Sequence, residues 1–192
     1  MAVMSIAEAW PAAGRPFTVA DLDRMPDDGH RYELLDGALI VSPRPTNSHQ
    51  EVAMELAVRL RSACPRDLRV IPEPAVQLSA MTESAPDIAV IRREQVNAAK
   101  CTEPPLLVIE IRSPSTALID LGRKKTAYEQ FGVPAFWVVD PRVKKPSLTV
   151  FELTGGRYRQ AAQVIGDETY RAQRPFAVEV VPSALVAGLM TD

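Results

Sequence analysis

Asp87 and Glu110 are the two residues best placed to do chemistry, because each interrupts an apolar run. Asp87 follows Pro86 and opens Ile88-Ala89-Val90-Ile91; Glu110 follows Leu106-Leu107-Val108-Ile109 and precedes Ile111. Short, nearly all-apolar runs are those buried on both faces of a sheet, so both carboxylates fall in or at the edge of the core. An ionised carboxylate there is costly unless it is paired or coordinates a metal. Strand alternation puts Glu110 on the face of Val108 and Arg112, which makes Arg112 the first cation within reach. Lys124, Tyr128 and Phe131 share one face of a helix, and the two aromatics mark that face as the inner one, so Lys124 points inward while Lys125 is rotated away. Two strand-end carboxylates with an inward lysine suit Mg²⁺ (or Mn²⁺), which takes oxygen ligands, keeps several waters and is completed by phosphate oxygens. A second reading stays open, in which Asp87 is a turn acid and Glu110 with Arg112 a structural ion pair.

These residues need a frame. Thr18 and Asp21 form a capping-box-like start to a short helix over residues 19–25, closed by Pro26 and the turn residues Asp27, Asp28 and Gly29. Two β-type runs, 31–35 and 38–41, are joined by Asp36-Gly37, a strong hairpin signal. Val52, Ala53, Leu56, Ala57 and Leu60 recur at helical spacing and predict an amphipathic helix over 48–63, ended by Pro65. Strands are expected at 70–71, 75–78, 88–91 and 106–111. A helix over 118–131, stopped by Gly132 and Pro134, then leads to a buried strand at 136–139, and strand, helix, strand in that order implies a parallel crossover. A second hairpin spans 148–153 and 158–164 around Gly155-Gly156, followed by a strand near 177–180 and a short helix. The expected class is α/β, an α+β mixed sheet flanked by helices with N-terminal and C-terminal β-hairpins.

The totals agree with one globular unit. The chain has 192 residues, 46% hydrophobic and 24% charged, which suits a single core and not a disordered chain. Residues 1–16 read as a loosely tethered lead-in and 17–192 as one domain. No run reaches the length of a membrane span and no signal peptide is visible, so a cytoplasmic protein with no membrane contact is expected. Cys64 and Cys101 give neither a disulfide framework nor zinc spacing. The formal net charge is −2, so any contact with nucleic acid must be local rather than a basic coat.

Pro86-Asp87 followed by Val108-Ile109-Glu110 resembles the PD-(D/E)xK signature of restriction-endonuclease-like nucleases. The runs Arg31-Tyr32-Glu33-Leu34-Leu35-Asp36-Gly37, Pro86-Asp87-Ile88-Ala89-Val90 and Glu110-Ile111-Arg112-Ser113-Pro114-Ser115-Thr116 extend the likeness. With the Lys124 helix bearing Tyr128 and the stretch Gly132-Val133-Pro134-Ala135-Phe136-Trp137-Val138-Val139-Asp140-Pro141, they resemble a large bacterial family of restriction endonucleases, formerly a domain of unknown function. The likeness covers residues 17–164 and implies a restriction-endonuclease-like core and metal-dependent cleavage of DNA phosphodiester bonds.

Carried over position by position, the resemblance makes Asp87 and Glu110 metal-ligating carboxylates and Glu33 an additional acid able to complete the metal shell. Where the superfamily has lysine this chain has Arg112, which cannot act as a base but can grip a phosphate. Lys124 then takes the lysine's role, orienting the attacking water or stabilising developing charge. Arg112, Lys125 and His49 are the expected substrate contacts, while Ser113, Ser115 and Thr116 are read as caps of the helix that follows. DNA is the expected partner and a homodimer a further option. The alternatives are a nuclease fold without cleavage that serves as a binding or regulatory module, and a metal-dependent phosphatase acting on small nucleotides. Repulsion among clustered acids leads to the expectation that Asp87→Asn leaves the metal-free protein as stable as wild type or more so.

Overall fold

The Asp-Gly pair makes the first hairpin. Asp36 and Gly37 both take positive φ (51° and 76°), as a two-residue type I′ turn requires, and join β1 (Arg31–Leu35) to β2 (Ala38–Ser42) in register from Arg31↔Ser42 to Leu35↔Ala38. A Cβ at Gly37 would come within 2.6 Å of Pro16, so glycine is needed here for space as well as for φ. Ahead of the hairpin, α1 (Val19–Leu22) is shorter than expected; the Asp21 carboxylate accepts from the Thr18 N–H at 2.9 Å and closes the predicted cap.

The structure, a computed structural model, describes residues 14–113 and 118–189. α2 (Asn47–Ala63) starts at Thr46, whose side chain accepts from the His49 N–H. Next come β3 (Leu68–Pro72), β4 (Val76–Ser79), β5 (Thr82–Ser84), β6 (Ile88–Arg92) and β7 (Leu107–Ile111), then α3 (Leu118–Phe131) and β8 (Ala135–Asp140). The chain continues through β9 (Ser147–Thr154), β10 (Arg157–Ile165), β11 (Tyr170–Ala172), β12 (Val178–Val180) and α4 (Pro182–Leu185). α3 stops where Gly132 takes φ 89° and its N–H and that of Val133 return to the Tyr128 carbonyl, a glycine helix stop.

One mixed sheet was expected, and the strands instead form three. The larger runs β10-β9-β8-β7-β6-β3, with β7 and β8 parallel across the α3 crossover and the other pairs antiparallel. The N-terminal hairpin heads a separate four-stranded sheet, β2-β1-β5-β4, and β11 pairs with β12 alone. β5 and β11 are three-residue strands that the sequence did not mark. The class itself, α+β with a mixed sheet and hairpins at both ends, is as expected.

The six-stranded sheet is packed on both faces. On one, Ile88, Val90, Leu107, Ile109 and Trp137 meet Val52, Leu56 and Leu60 of α2; on the other, Ala89, Ile91, Val108 and Phe136 meet Tyr128 of α3. Each fully buried aliphatic side chain here contributes roughly 1.5 to 3 kcal/mol. Among the described residues no helix is long and apolar enough to cross a membrane.

Candidate functional site

Alternation along β7 decides where Glu110 goes. Leu107, Ile109 and Ile111 turn toward α2 and Val108 toward α3, which leaves Glu110 on the α3 side. The register Ile88↔Ile109 sets Asp87, one residue before β6, opposite Glu110. Like charges so placed repel, and each acid has its own support. The Ile111 N–H donates to Asp87 Oδ2 at 2.6 Å, while His49 Nε2 stands 3.0 Å and Arg31 Nη1 3.5 Å from Oδ1. Glu33 enters from β1 of the other sheet. Its Oε1 accepts from the Ser84 hydroxyl and the Ala85 N–H, both at 2.8 Å, and pairs with Lys124 Nζ at 2.9 Å. Lys124 also lies 3.3 Å from Glu110 Oε1, which accepts from the Tyr128 hydroxyl at 2.9 Å. α3 thus touches both sheets through Lys124 and Tyr128.

Glu33, Asp87, Glu110 and Lys124 are 4%, 4%, 6% and 5% exposed, so their charges interact with little help from solvent. Burial, with the nearby charges of Asp87 and Glu33, pushes the Glu110 carboxyl up to about 7 despite the opposing pull of Lys124. Burial also acts on Asp87, but the His49 hydrogen bond, the Ile111 N–H and Arg31 outweigh it and hold this carboxyl below its ordinary value. Glu33 is likewise low, since Lys124 and Arg31 overcome its burial. The Lys124 ammonium is raised, burial being outweighed by Glu110 and Glu33, and so stays protonated. It can donate to a developing negative charge but cannot serve as a base.

The second cation of the site is Arg31, which lies 3.5 Å from Glu33, 3.5 Å from Asp87 and 3.8 Å from Glu73. All three contacts are longer than the roughly 2.7 to 2.9 Å of a charge-assisted hydrogen bond. Among the described residues, the buried Nε and Nη2 of Arg31 and the buried Nδ1 of His49 have no hydrogen-bond partner. A cleft of about 130 Å³ opens here, lined by Arg31, Glu33, His49, Asp87, Glu110 and Lys124 among others.

Of the residues expected from sequence, Asp87, Glu110, Lys124, Glu33 and His49 are brought together and two are not. Arg112 does not pair with Glu110: its N–H extends the ladder to the Val139 carbonyl, and its guanidinium bonds Asp140 at 2.9 Å. β7 ends at Ile111, so strand alternation no longer dictates where residue 112 points. Lys125, expected among the substrate contacts, lies outside the cleft with its ammonium 3.6 Å from the centre of the Phe151 ring. Ser115 and Thr116 lie outside the described residues.

Arg31, Ser84 and the hydroxyl of Tyr128 were missed as members of the site. Arg31 was legible in principle, since it sits two residues before Glu33 on one strand and shares its face. A buried tyrosine needs a partner for its hydroxyl, so Tyr128 also carried a signal beyond packing. Ser84 carried none, because β5 has no apolar pattern.

The geometry reverses the stability expected of Asp87→Asn. Asp87, like Glu33, is an acid whose surroundings favour its charge, so the substitution is expected to destabilise the metal-free protein by about 1 to 3 kcal/mol, through weakened hydrogen bonds to His49 and Arg31. Thermal melts in EDTA check this, and a variant as stable as wild type would contradict it.

Chain comparisons bear on the same residues. A structure titled as a "putative nuclease belonging to DUF820" from Anabaena variabilis ATCC 29413 superposes with a TM-score of 0.74 at 20% identity, covering 91% of this chain and 100% of the other. That likeness shows a shared fold. No curated protein matches the chain. The family model described as "Putative restriction endonuclease", named Uma2, matches residues 19–184, a span that includes every residue of the cleft. The chain therefore belongs to the Uma2 family, whose description is "Putative restriction endonuclease".

Proposed function

We propose that the protein is a metal-dependent endonuclease that hydrolyses phosphodiester bonds of DNA at the cleft holding Asp87 and Glu110. The observation that carries this reading is the coexistence of two needs in one cleft. Facing carboxylates leave Glu110 short of positive charge, while the Arg31 guanidinium beside them has buried N–H groups without an acceptor. A divalent cation answers the first need and a phosphodiester the second.

The donor set fits such an ion. Carboxylate oxygens are the hard ligands that Mg²⁺ and Mn²⁺ prefer, and each engaged oxygen retains a second lone pair. Among the described residues no three His, Cys, Asp or Glu side chains are grouped so as to hold an ion by themselves. Asp87 and Glu110, with Glu33 behind them, would therefore share it with water and substrate oxygens. Bound there, the ion would supply the positive charge that draws the phosphate and lowers the pKa of a nearby water.

The protein's own groups do the rest. Lys124, fixed between Glu33 and Glu110, presents a permanent ammonium to the charge that develops on the phosphate oxygens. Arg31, whose side chain is 19% exposed, adds a second cation that draws the phosphate and orients the scissile bond. His49 is a positioning residue that holds the Asp87 carboxylate from the α2 side. Tyr128 does the same for Glu110 from α3.

Purified protein incubated with supercoiled, linear and single-stranded DNA in Mg²⁺ or Mn²⁺ tests the proposal. Strand cleavage that EDTA abolishes is expected. DNA left intact under every metal condition, with a wild-type melt unmoved by Mn²⁺, would exclude it and favour a binding module.

A further inference from the structure

Arg112 and Asp140 stand at the C-terminal ends of the adjacent parallel strands β7 and β8, on the side of the sheet where Glu110 meets the cleft. Asp140 is 6% exposed. Its carboxylate accepts from Arg112 Nη1 at 2.9 Å and from Arg142 Nε at 2.9 Å, with Arg142 Nη2 also at 2.9 Å. We propose that these two arginines, oriented by Asp140, form a second phosphate site. It would take a phosphate of the substrate strand next to the one cut at Asp87 and Glu110. The inference rests on the nuclease reading and adds to it where a neighbouring phosphate of the DNA strand is held.

Stoichiometry is the first argument. A second guanidinium on an already neutralised carboxylate brings like charges together; the same count occurs at Asp21 with Arg15 and Arg24, but those two arginines line neither the cleft of Glu110 nor that of Arg112 and Arg142. Two on one acid leave a net positive charge, and with Arg112 at 40% and Arg142 at 69% side-chain exposure Asp140 orients both without covering them. Forked guanidinium donors match phosphate oxygens, often in bidentate fashion. Pinning them to a buried acid reduces the side-chain ordering that binding would otherwise require.

Continuity with the cleavage site is the second. Arg112, Asp140 and Arg142 line a cleft of about 620 Å³ whose wall includes Ser113, and Ser113 also lines the cleft of Glu110 and Asp87. Glu110 and Arg112 are two residues apart in extended chain, roughly 6.6 Å, about one nucleotide step. The chain's arginine at position 112 then has a task distinct from that of the lysine it stands in for. A phosphatase acting on mononucleotides would have no second phosphate diester to place there.

Steady-state cleavage of two duplexes of unrelated sequence, in Mn²⁺ over a series of salt concentrations, tests the site. Arg112→Gln and Arg142→Gln are compared with wild type and with Arg171→Gln, a control whose exposed side chain pairs with Glu179 and lines neither cleft. In the first two variants KM is expected to rise on the order of tenfold on both duplexes, with log KM depending less steeply on log salt by about 0.9. kcat should fall by much less, and Arg171→Gln should match wild type. Asp140→Asn should show part of the same KM effect. Because Asp140 is buried, that variant counts only if it melts like wild type; the exposed Arg142 carries the test in either case. If wild type cleaves while Arg112→Gln and Arg142→Gln keep its KM and salt slope, the second site is overturned alone. Wild type that cleaves nothing overturns it together with the nuclease reading.

Discussion

Replacing Lys124 by methionine is expected to cost the metal-free protein about 3 to 5 kcal/mol, the range seen when one partner of a buried ion pair is removed. Its ammonium lies 2.9 Å from Glu33 and 3.3 Å from Glu110, and the side chain is 6% exposed. Methionine fills much of the same volume, so the loss would report charge and not a cavity. Without Lys124, the two carboxylates keep their neutral hydrogen-bond donors but are left with Arg31, at 3.5 Å from Glu33, as the nearby cation. Adding Glu33→Gln to the variant should restore part of the stability, and the double-mutant cycle isolates the coupling between the pair. Urea titrations of the four proteins in EDTA make the measurement. Additive effects would mean that Lys124 is not the counter-charge described. Cleavage by the Lys124 variant should fall by about 10² to 10³, as when a preorganised donor to developing charge is lost.

Glu110→Gln is expected to act in the opposite direction on stability while abolishing cleavage. In the folded protein burial and the neighbouring acids lift this carboxyl to about 7, from an ordinary 4.5. A group raised on folding contributes stability that is fully present below its unfolded pKa and lost as pH rises through the folded one. For Glu110 that window runs from about pH 4.5 to about 7, and at 1.36 kcal/mol per unit the loss is on the order of 3 kcal/mol. Glutamine does not titrate, so the variant should lack this decline and be more stable than wild type at pH 8 in EDTA. Asp87 and Glu33, both lowered on folding, contribute stability of the other sign, lost as pH falls below the ordinary carboxylate range. The two windows therefore separate in a melt-versus-pH series. Mn²⁺ should raise the wild-type melting temperature, because an ion that binds only the folded state stabilises it, and should do little for the variant. A Glu110→Gln protein less stable than wild type at pH 8 would contradict the charge strain assigned to this residue.

What the sequence revealed depended on whether a residue's setting was local. Asp36-Gly37 announced its hairpin because two positive-φ residues are needed at adjacent positions, and Lys124 was placed inward by the phase it shares with Tyr128. Asp87 and Glu110 stood out as acids in apolar runs. Their opposition across β6 and β7 is a matter of register, which no local pattern specified. The separate four-stranded sheet was illegible for a related reason. β5 is Thr82-Glu83-Ser84, three polar residues all buried, so neither hydrophobicity nor alternation marks it. Arg112 was misdirected by extending strand alternation one residue past the end of β7.

The clasp that α3 makes between the sheets also governs when the site can exist during folding. Its members span the chain from Glu33 to Lys124, and the contact of Lys124 with Glu33 requires the N-terminal sheet to be docked before the ammonium finds its second carboxylate. Contacts between residues so distant in sequence carry a high loop-closure cost and tend to form late. A nascent or partly unfolded chain would hold scattered acids and no assembled cleft. For a nuclease of the kind proposed above, cutting power would then arrive only with the last docking event, making native assembly its own safety catch.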